Sequence, residues 1–347
     1  MRLLFYTDPH LGLVRNANTT PASRAKLQKA LYEQCLHILD KYQADYTICA
    51  GDLFDKFSNP EKTLLQGYHV LSKTHCVIAG NHDVHPSKPA IGTLDALASI
   101  GPYPSSVICR PAFDEVEVSY TDYRGVGVCC VPHHTTQGLF EEALDRAMQE
   151  QSEYTEFLSN SILVLHCNYD SEFADNETTL NLSPQKAEQL LEHYDYIVMG
   201  HEHQPRNLFG GRLIILGNTH PTGFSDISDK RIVIFDDGVP EFHKVWDASS
   251  QYTAYDVETI PESTERQFVR IAGSVNSSAL ADVAKSISSL WKSSPNLLGV
   301  KSDVTAVLDD CTEETARVSG ETLPQLIAKE LRADPDAFGL WEELTSQ

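Results

Sequence analysis

The stretch YIVMGHEHQP, residues 196–205, is an apolar run that stops at Gly200 and continues into His201, Glu202 and His203. Its first half, apolar and closed by a glycine, reads as a buried strand. Two imidazoles one residue apart at its end then stand at the mouth of a core. In an extended segment alternate side chains face opposite ways, so His201 and His203 share a face and Glu202 points away.

Four other runs end in the same manner. LLFYTD (3–8) delivers Asp8 and, two residues on, His10; YTICAGD (46–52) delivers Asp52 after Gly51. HCVIAGN (75–81) delivers Asn81, then His82 and Asp83; SILVLHC (161–167) delivers His166. Ligands of α/β sheets bind beyond the carboxyl ends of strands, so these residues are expected to converge. Taken singly, an Asp after a strand is usually a turn residue or helix cap, and an isolated His a satisfied core or surface residue. Five such ends in one chain are not explained that way.

Carboxylates and imidazoles without thiolates suit manganese, iron or zinc better than the all-oxygen shells of calcium or magnesium. Asp8, His10, Asp52, Asn81, His166, His201 and His203 are too many for one ion. They fit two ions about 3.5–4 Å apart, the spacing used for in-line displacement at phosphorus. Two dications that close require a bridging carboxylate. Asp52 is the candidate, because Gly51 before it permits close backbone approach.

Around these runs the chain alternates short strands with helical patterns at 23–42, 61–72, 137–158 and 184–193, which predicts a layered α/β architecture. Further strands are expected at VGVCCVP (126–132), RLIILGN (212–218) and KRIVIFD (230–236), with little helix between the later ones. Mixed sheets, or two sheets packed together, follow. The pattern loosens at 247–265, the best boundary. Beyond it, QFVRIAG, a helix near 279–292 and LLGVKSDVTAVL read as a small β-α-β domain over 247–312. The tail, 313–347, spaces Leu323, Ile327, Leu331, Phe338, Trp341 and Leu344 as helices do.

The eight cysteines form no CxxC pair, and several lie inside apolar runs, as expected of a reduced chain without structural disulfides. The sequence shows neither a signal-peptide pattern nor a long apolar span, so a cytoplasmic protein without a membrane segment is expected. The net charge of −22 opposes non-specific binding to nucleic-acid phosphates. A nucleic-acid function then needs bound metal ions, a local positive site or a basic partner.

The ordered set DxH, GD, GNHD, H and GHxH resembles the five motifs of the calcineurin-like metallophosphoesterase superfamily, over about residues 1–235. Within it, DPHLG, GDLFD, the long helix between them and LGNTHPTGFSDISDKRIVIFD (216–236) resemble DNA-repair nuclease subunits of the SbcD type; Asn218 stands where those usually carry Ser. The length resembles phage-encoded members. The resemblance implies a four-layer α/β/β/α sandwich of mixed sheets over 1–246 and a smaller α+β capping domain after it. It implies a first ion on Asp8, His10, Asp52 and His203, and a second on Asp52, Asn81, His166 and His201, with manganese expected first and magnesium as the alternative. His82 would protonate the leaving oxygen or contact the scissile phosphate, and Asp83 would orient His82. Some members carry a second active-site histidine three positions after the bridging aspartate. Here that position is Asp55, and His133 and His134 are candidate substitutes, with plain loop polarity as the alternative.

The implied activity is metal-dependent hydrolysis of DNA phosphodiesters, as 3′→5′ exonuclease and single-strand endonuclease, in recombination, repair and replication. The implied partners are DNA ends and single strands and an SMC-like ATPase docked on the tail helices, in a heterotetramer built on a homodimer through 61–72 and 87–100. Arg15, Arg24, Lys26 and Lys29 are candidate backbone contacts. If phage-encoded, the protein works in the host cytoplasm. The rivals are a stand-alone phosphatase or phosphodiesterase with the same site, and a non-catalytic scaffold, against which the intact His82 and ligand set count.

Overall fold

The computed structural model describes residues 1–14, 21–85, 88–100, 107–112, 115–154, 159–171 and 180–307. Among the described residues the chain divides into two compact units, the first of 1–14 and 25–248 and the second of 249–307 with 21–24. The tail helices read at 313–347, and Arg15, lie outside the described residues.

The first half runs β1 (Arg2–Tyr6), α1 (Pro21–Lys41), β2 (Tyr46–Cys49), α2 (Glu61–Leu71), β3 (Cys76–Ile78), α3 (Thr93–Ile100), β4 (Val107–Cys109), β5 (Ser119–Tyr123) and β6 (Val126–Val131). It continues with α4 (Gln137–Tyr154), β7 (Asn160–His166), β8 (Asn168–Tyr169), β9 (Asn181–Leu182), α5 (Pro184–His193), β10 (Tyr196–Gly200), β11 (Arg206–Leu208), β12 (Leu213–Ile215), β13 (Lys230–Asp236) and β14 (Val239–Trp246). Local chemistry sets the helix starts. At α5, Ser183 caps the first turn by accepting from Lys186 N at 3.2 Å, and Pro184 occupies the first helical position, where its missing N–H costs nothing.

Two mixed six-stranded sheets result. One has the order β14-β13-β1-β2-β3-β4, with β1 to β4 parallel and β13 and β14 antiparallel. The other has the order β11-β12-β10-β7-β6-β5, parallel except at its two edges. Side-chain alternation sorts the apolar residues. Leu3, Phe5, Ile48 and Ile78 of the first sheet pack against Val128, Val164, Val198 and Ile214 of the second. Leu4, Tyr6, Cys49 and Val77 face the other way and pack on Cys35 and Ile38 of α1, Val70 of α2 and Leu97 of α3. On the far side Leu163, Leu165, Ile197 and Met199 pack under Phe140 and Leu144 of α4 and Leu190 of α5. The layers are therefore α/β/β/α. Each of these side chains contributes about 1.5–3 kcal/mol relative to exposure.

The second unit has α6 (Ala248–Gln251), β15 (Tyr252–Asp256), β16 (Phe268–Asn276), α7 (Leu280–Ser293) and β17 (Gly299–Val307). Its three strands form one parallel sheet in the order β15-β16-β17, over a core of Val257, Val269, Ile271, Leu290 and Leu297. The loosened stretch 247–265 thus contains a strand. It hides in sequence because β15 has no fully buried residue to mark its apolar face.

Candidate metal centre

The strand ends gather as carboxyl ends of parallel strands must, because β1, β2 and β3 point one way in one sheet and β7 and β10 do so in the other. The backbone turns sharply where each delivers its ligand. Asp8, His10, Asp52 and His201 all adopt left-handed conformations, with φ of 52°, 45°, 49° and 84°. Asp and His tolerate that region better than most residues, and such strain clusters at functional sites. The first two loops run side by side beyond their strands: Asp8 N donates to Gly51 O at 3.0 Å, His10 N to Asp52 O at 3.2 Å and Leu11 N to Leu53 O at 2.9 Å.

Two clusters of ligand atoms form, and a third grouping, of His10, Asp52 and His82, links them. In the first, His10 Nε2 and His203 Nε2 face each other at 3.0 Å, and Asp8 Oδ1 lies 3.7 Å from His10 Nε2 and 4.0 Å from His203 Nε2. In the second, His166 Nε2 lies 3.3 Å from Asp52 Oδ2 and 3.2 Å from Asn81 Oδ1, which is 2.9 Å from His201 Nδ1. Asp52 Oδ2 is also 3.9 Å from His10 Nε2, so one oxygen faces both clusters. Metal–ligand bonds of about 2.0–2.2 Å place neighbouring ligand atoms about 3–3.5 Å apart, close to what is seen. Asp8 Oδ1 is buried with no hydrogen-bond partner among the described residues, a cost that a bound cation removes. The donor set fits two divalent ions.

Surrounding residues fix these rings. His166 Nδ1 lies 2.8 Å from Ala50 O, which sets the ring so that Nε2 faces the cluster. Asp55 Oδ1 lies 3.5 Å from His10 Nδ1, and Asp226 Oδ2 lies 3.2 Å from His203 Nδ1. Asp226 accepts in turn from Asn218 Nδ2, Thr222 N and Oγ1, and Gly223 N. Buried Lys230 donates to His203 O at 2.9 Å and holds that backbone in place. Glu202 turns away from the clusters, accepting from Tyr169 N and pairing with Arg206.

His82 Nδ1 lies 2.7 Å from Asp55 O, and its Nε2 faces Asp52 Oδ2 at 3.8 Å. The sequence places Asp83 behind this ring, and the structure corrects that. The Asp83 carboxylate accepts from Leu53 N, Phe54 N and Gly80 N, tying the Asp52 and Asn81 loops together, while the Asp55 carbonyl orients His82. Of the two histidines after β6, His134 is committed to structure: Nδ1 meets Pro132 O at 2.8 Å and Nε2 accepts from Glu117 N. His133 is buried and its Nδ1 has no partner among the described residues. Lys29, a candidate backbone contact, pairs with Glu33.

Asp226 is the supporting residue that sequence alone does not single out. It lies 23 residues beyond His203 in a Gly- and Ser-containing loop, where an aspartate reads as a turn residue. The only pointer is its place in the segment 216–236.

Charges show what the site does without ions. Burial opposes protonation of His10, but Asp55, Asp52 and Asp8 outweigh it and raise the ring to about 9. Burial likewise opposes protonation of His166, and Asp52 and Asp8 raise it to about 9. Burial and the neighbouring His166 lower His201 to about 4. At pH 7 protons on His10 and His166 therefore stand where cations would. Ligation needs neutral imidazole, so ion binding displaces them. Calorimetry in buffers of different ionisation enthalpy is expected to show release of about two protons per protein at pH 7, falling towards none by pH 10. No release at pH 7 would contradict this charge state. Both pKa values are raised on folding. Their contribution to the stability of the metal-free protein is thus complete below about 6.5 and is lost as pH rises through 9.

No described helix is long and apolar enough to cross a membrane. No curated protein sequence matches the chain. Among solved structures, a purple acid phosphatase from yellow lupin is 16% identical, with 70% of this chain and 51% of that one covered and a TM-score of 0.45. A 5′-nucleotidase precursor from Thermus thermophilus is 12% identical, covering 70% and 53%, with a TM-score of 0.38. The chain thus spans about half the length of these two proteins. A novel archaeal phosphodiesterase is 14% identical, covering 70% and 98%, with a TM-score of 0.33. The sequence pattern of the calcineurin-like phosphoesterases matches residues 1–205, well over half of the 347, and the chain belongs to that family of metal-dependent phosphoester hydrolases.

Proposed function

We propose that the protein is a two-metal DNA nuclease, the nuclease subunit of an SbcD-like complex that processes DNA ends with an SMC-like ATPase. The observation that carries the hydrolytic part is the pair of ligand clusters sharing Asp52, with the His82 ring beside them. The nuclease part rests on DPHLG, GDLFD and the 216–236 segment. Asp8, His10, Asp52 and His203 would hold one ion; Asp52, Asn81, His166 and His201 would hold the other. Such ions supply positive charge to a phosphodiester and make water nucleophilic near neutral pH, with manganese the expected metal.

The chain's own residues do the rest. The Asp55 carbonyl keeps a proton on His82 Nδ1 and turns Nε2 towards the shared Asp52 oxygen. When protonated, Nε2 can donate to a scissile phosphate or its departing oxygen. Asp83 keeps the His82 loop in register with the Asp52 loop. The net charge of −22 means that DNA affinity comes from the ions and the ATPase rather than from this chain's surface, and residues 313–347 are the proposed docking segment.

The same charge favours one alternative, a stand-alone phosphatase or phosphodiesterase acting on small phosphoesters. Cleavage of a labelled DNA duplex in Mn²⁺, with and without the ATPase, is compared with hydrolysis of a chromogenic phosphodiester. His82→Ala is expected to retain its ions and lose about 10²–10⁴-fold in rate. Wild-type cleavage of DNA supports the nuclease. Turnover of the small ester alone, even with the ATPase present, selects the alternative.

A further inference from the structure

The four histidines of the two clusters are backed differently. Behind His10 stands Asp55, and behind His203 stands Asp226, each with a carboxylate oxygen near Nδ1, at 3.5 and 3.2 Å. Both carboxylates are buried, with side chains 2% and 6% exposed. Neither is adventitious. Val14 N donates to Asp55 at 2.8 Å, and four groups donate to Asp226. In the other cluster His166 Nδ1 meets the neutral Ala50 carbonyl, and His201 turns its Nδ1 into the cluster itself, towards Asn81 Oδ1. The Ala50 carbonyl can select a tautomer as well as a carboxylate can, but it adds no charge.

We propose that Asp55 and Asp226 are paired positioning residues that make the Asp8–His10–His203 ion site the tighter of the two, so that the sites fill in order. With Nδ1 turned towards a carboxylate in each ring, the Nε2 atoms of His10 and His203 face each other at 3.0 Å, where both can reach one cation. A carboxylate behind a ligating imidazole also raises its basicity. The charge count is lopsided. Asp8 and Asp52 face both clusters, whereas Asp55 and Asp226 add two further carboxylates behind the first and neutral Asn81 serves the second. Lys230 offsets part of this, but its ammonium is engaged by His203 O and Ser228 Oγ. Asp55 thus has a role of its own where some nucleases carry histidine.

The inference rests on the two-ion reading, and the test separates the two. The full chain is titrated with Mn²⁺ alone, following heat and the free-ion electron paramagnetic resonance signal. Wild type is expected to bind two ions in distinct classes. His201→Ala should lose the weaker class and keep the tighter. Asp226→Asn and Asp55→Asn should each weaken the tighter class about 10–100-fold and leave the weaker constant unchanged. Melting temperatures in chelator report folding, and Asp55→Asn carries the test alone if Asp226→Asn does not fold. Two equal classes in wild type, or a tighter constant untouched in the folded Asn variants, overturns the inference. Fewer than two ions on wild type overturns the two-ion reading itself.

Discussion

Asp52→Asn is expected to lower phosphoester hydrolysis by about a thousandfold or more and to reduce bound Mn²⁺ from two ions to one or none. The side chain keeps its volume, and an amide oxygen can still accept from His82 N, which now donates to Asp52 Oδ1 at 2.9 Å. What disappears is the charge on the oxygen facing both clusters, 3.3 Å from His166 Nε2 and 3.9 Å from His10 Nε2. Burial raises the Asp52 pKa, yet His166, His82 and His10 overcome that and hold the group ionised far below the usual range. Neighbouring Asp83 cannot replace it, being committed to three backbone N–H groups, and burial and Asp52 raise it to about 7. Counting bound manganese after gel filtration, together with initial rates, checks the prediction. Two retained ions with unchanged rates would remove Asp52 from the centre.

Gly51→Ala is expected to be as damaging without removing any ligand. Gly51 has φ of 108°, where an L side chain is strained, and an added Cβ would lie 2.0 Å from His166 Nδ1. His166 cannot retreat. It is fully buried and held to Ala50 O. Either the ring leaves the cluster or the Asp52 loop moves, and each breaks the second ion site. Backbone strain and overpacking together cost roughly 3–5 kcal/mol, a fall in melting temperature of roughly 10 °C. Differential scanning calorimetry with and without Mn²⁺ is the measurement. Wild-type melting and manganese binding in Gly51→Ala would show that the loop accommodates a methyl group freely.

Much of the site is legible in the sequence because its ligands lie within a few residues of strand ends, and buried strands announce themselves by apolar runs. Asp8, Asp52, Asn81, His166 and His201 need only that rule. Roles set by distant partners are not legible. Asp83 sits beside His82 in the chain but bonds to backbone groups around residue 53, whereas the carbonyl that orients His82 belongs to Asp55. Asp226 reaches His203 across a loop whose composition says only turn. The fold shows the same division. The central strands are read directly. The edges are not: in β5 only Tyr123 is buried, and β14 exposes Val239 and Phe242, so neither carries the signal of a core strand.

The position of β1 has a consequence for the order in which the protein is synthesised. β1, made before both of its partners, lies in the middle of its sheet, between β2 and β13. Its partner on one side, Lys230–Asp236, emerges from the ribosome only after every candidate ligand, the last of which is His203. Until then Arg2–Tyr6 is an open edge of apolar residues, the kind of surface that pairs with other chains. Possession of the ligands and possession of the site are thus separated in time. The nascent chain passes through an interval in which it carries all the metal-binding groups while the strand that delivers Asp8 and His10 is still held on one side only.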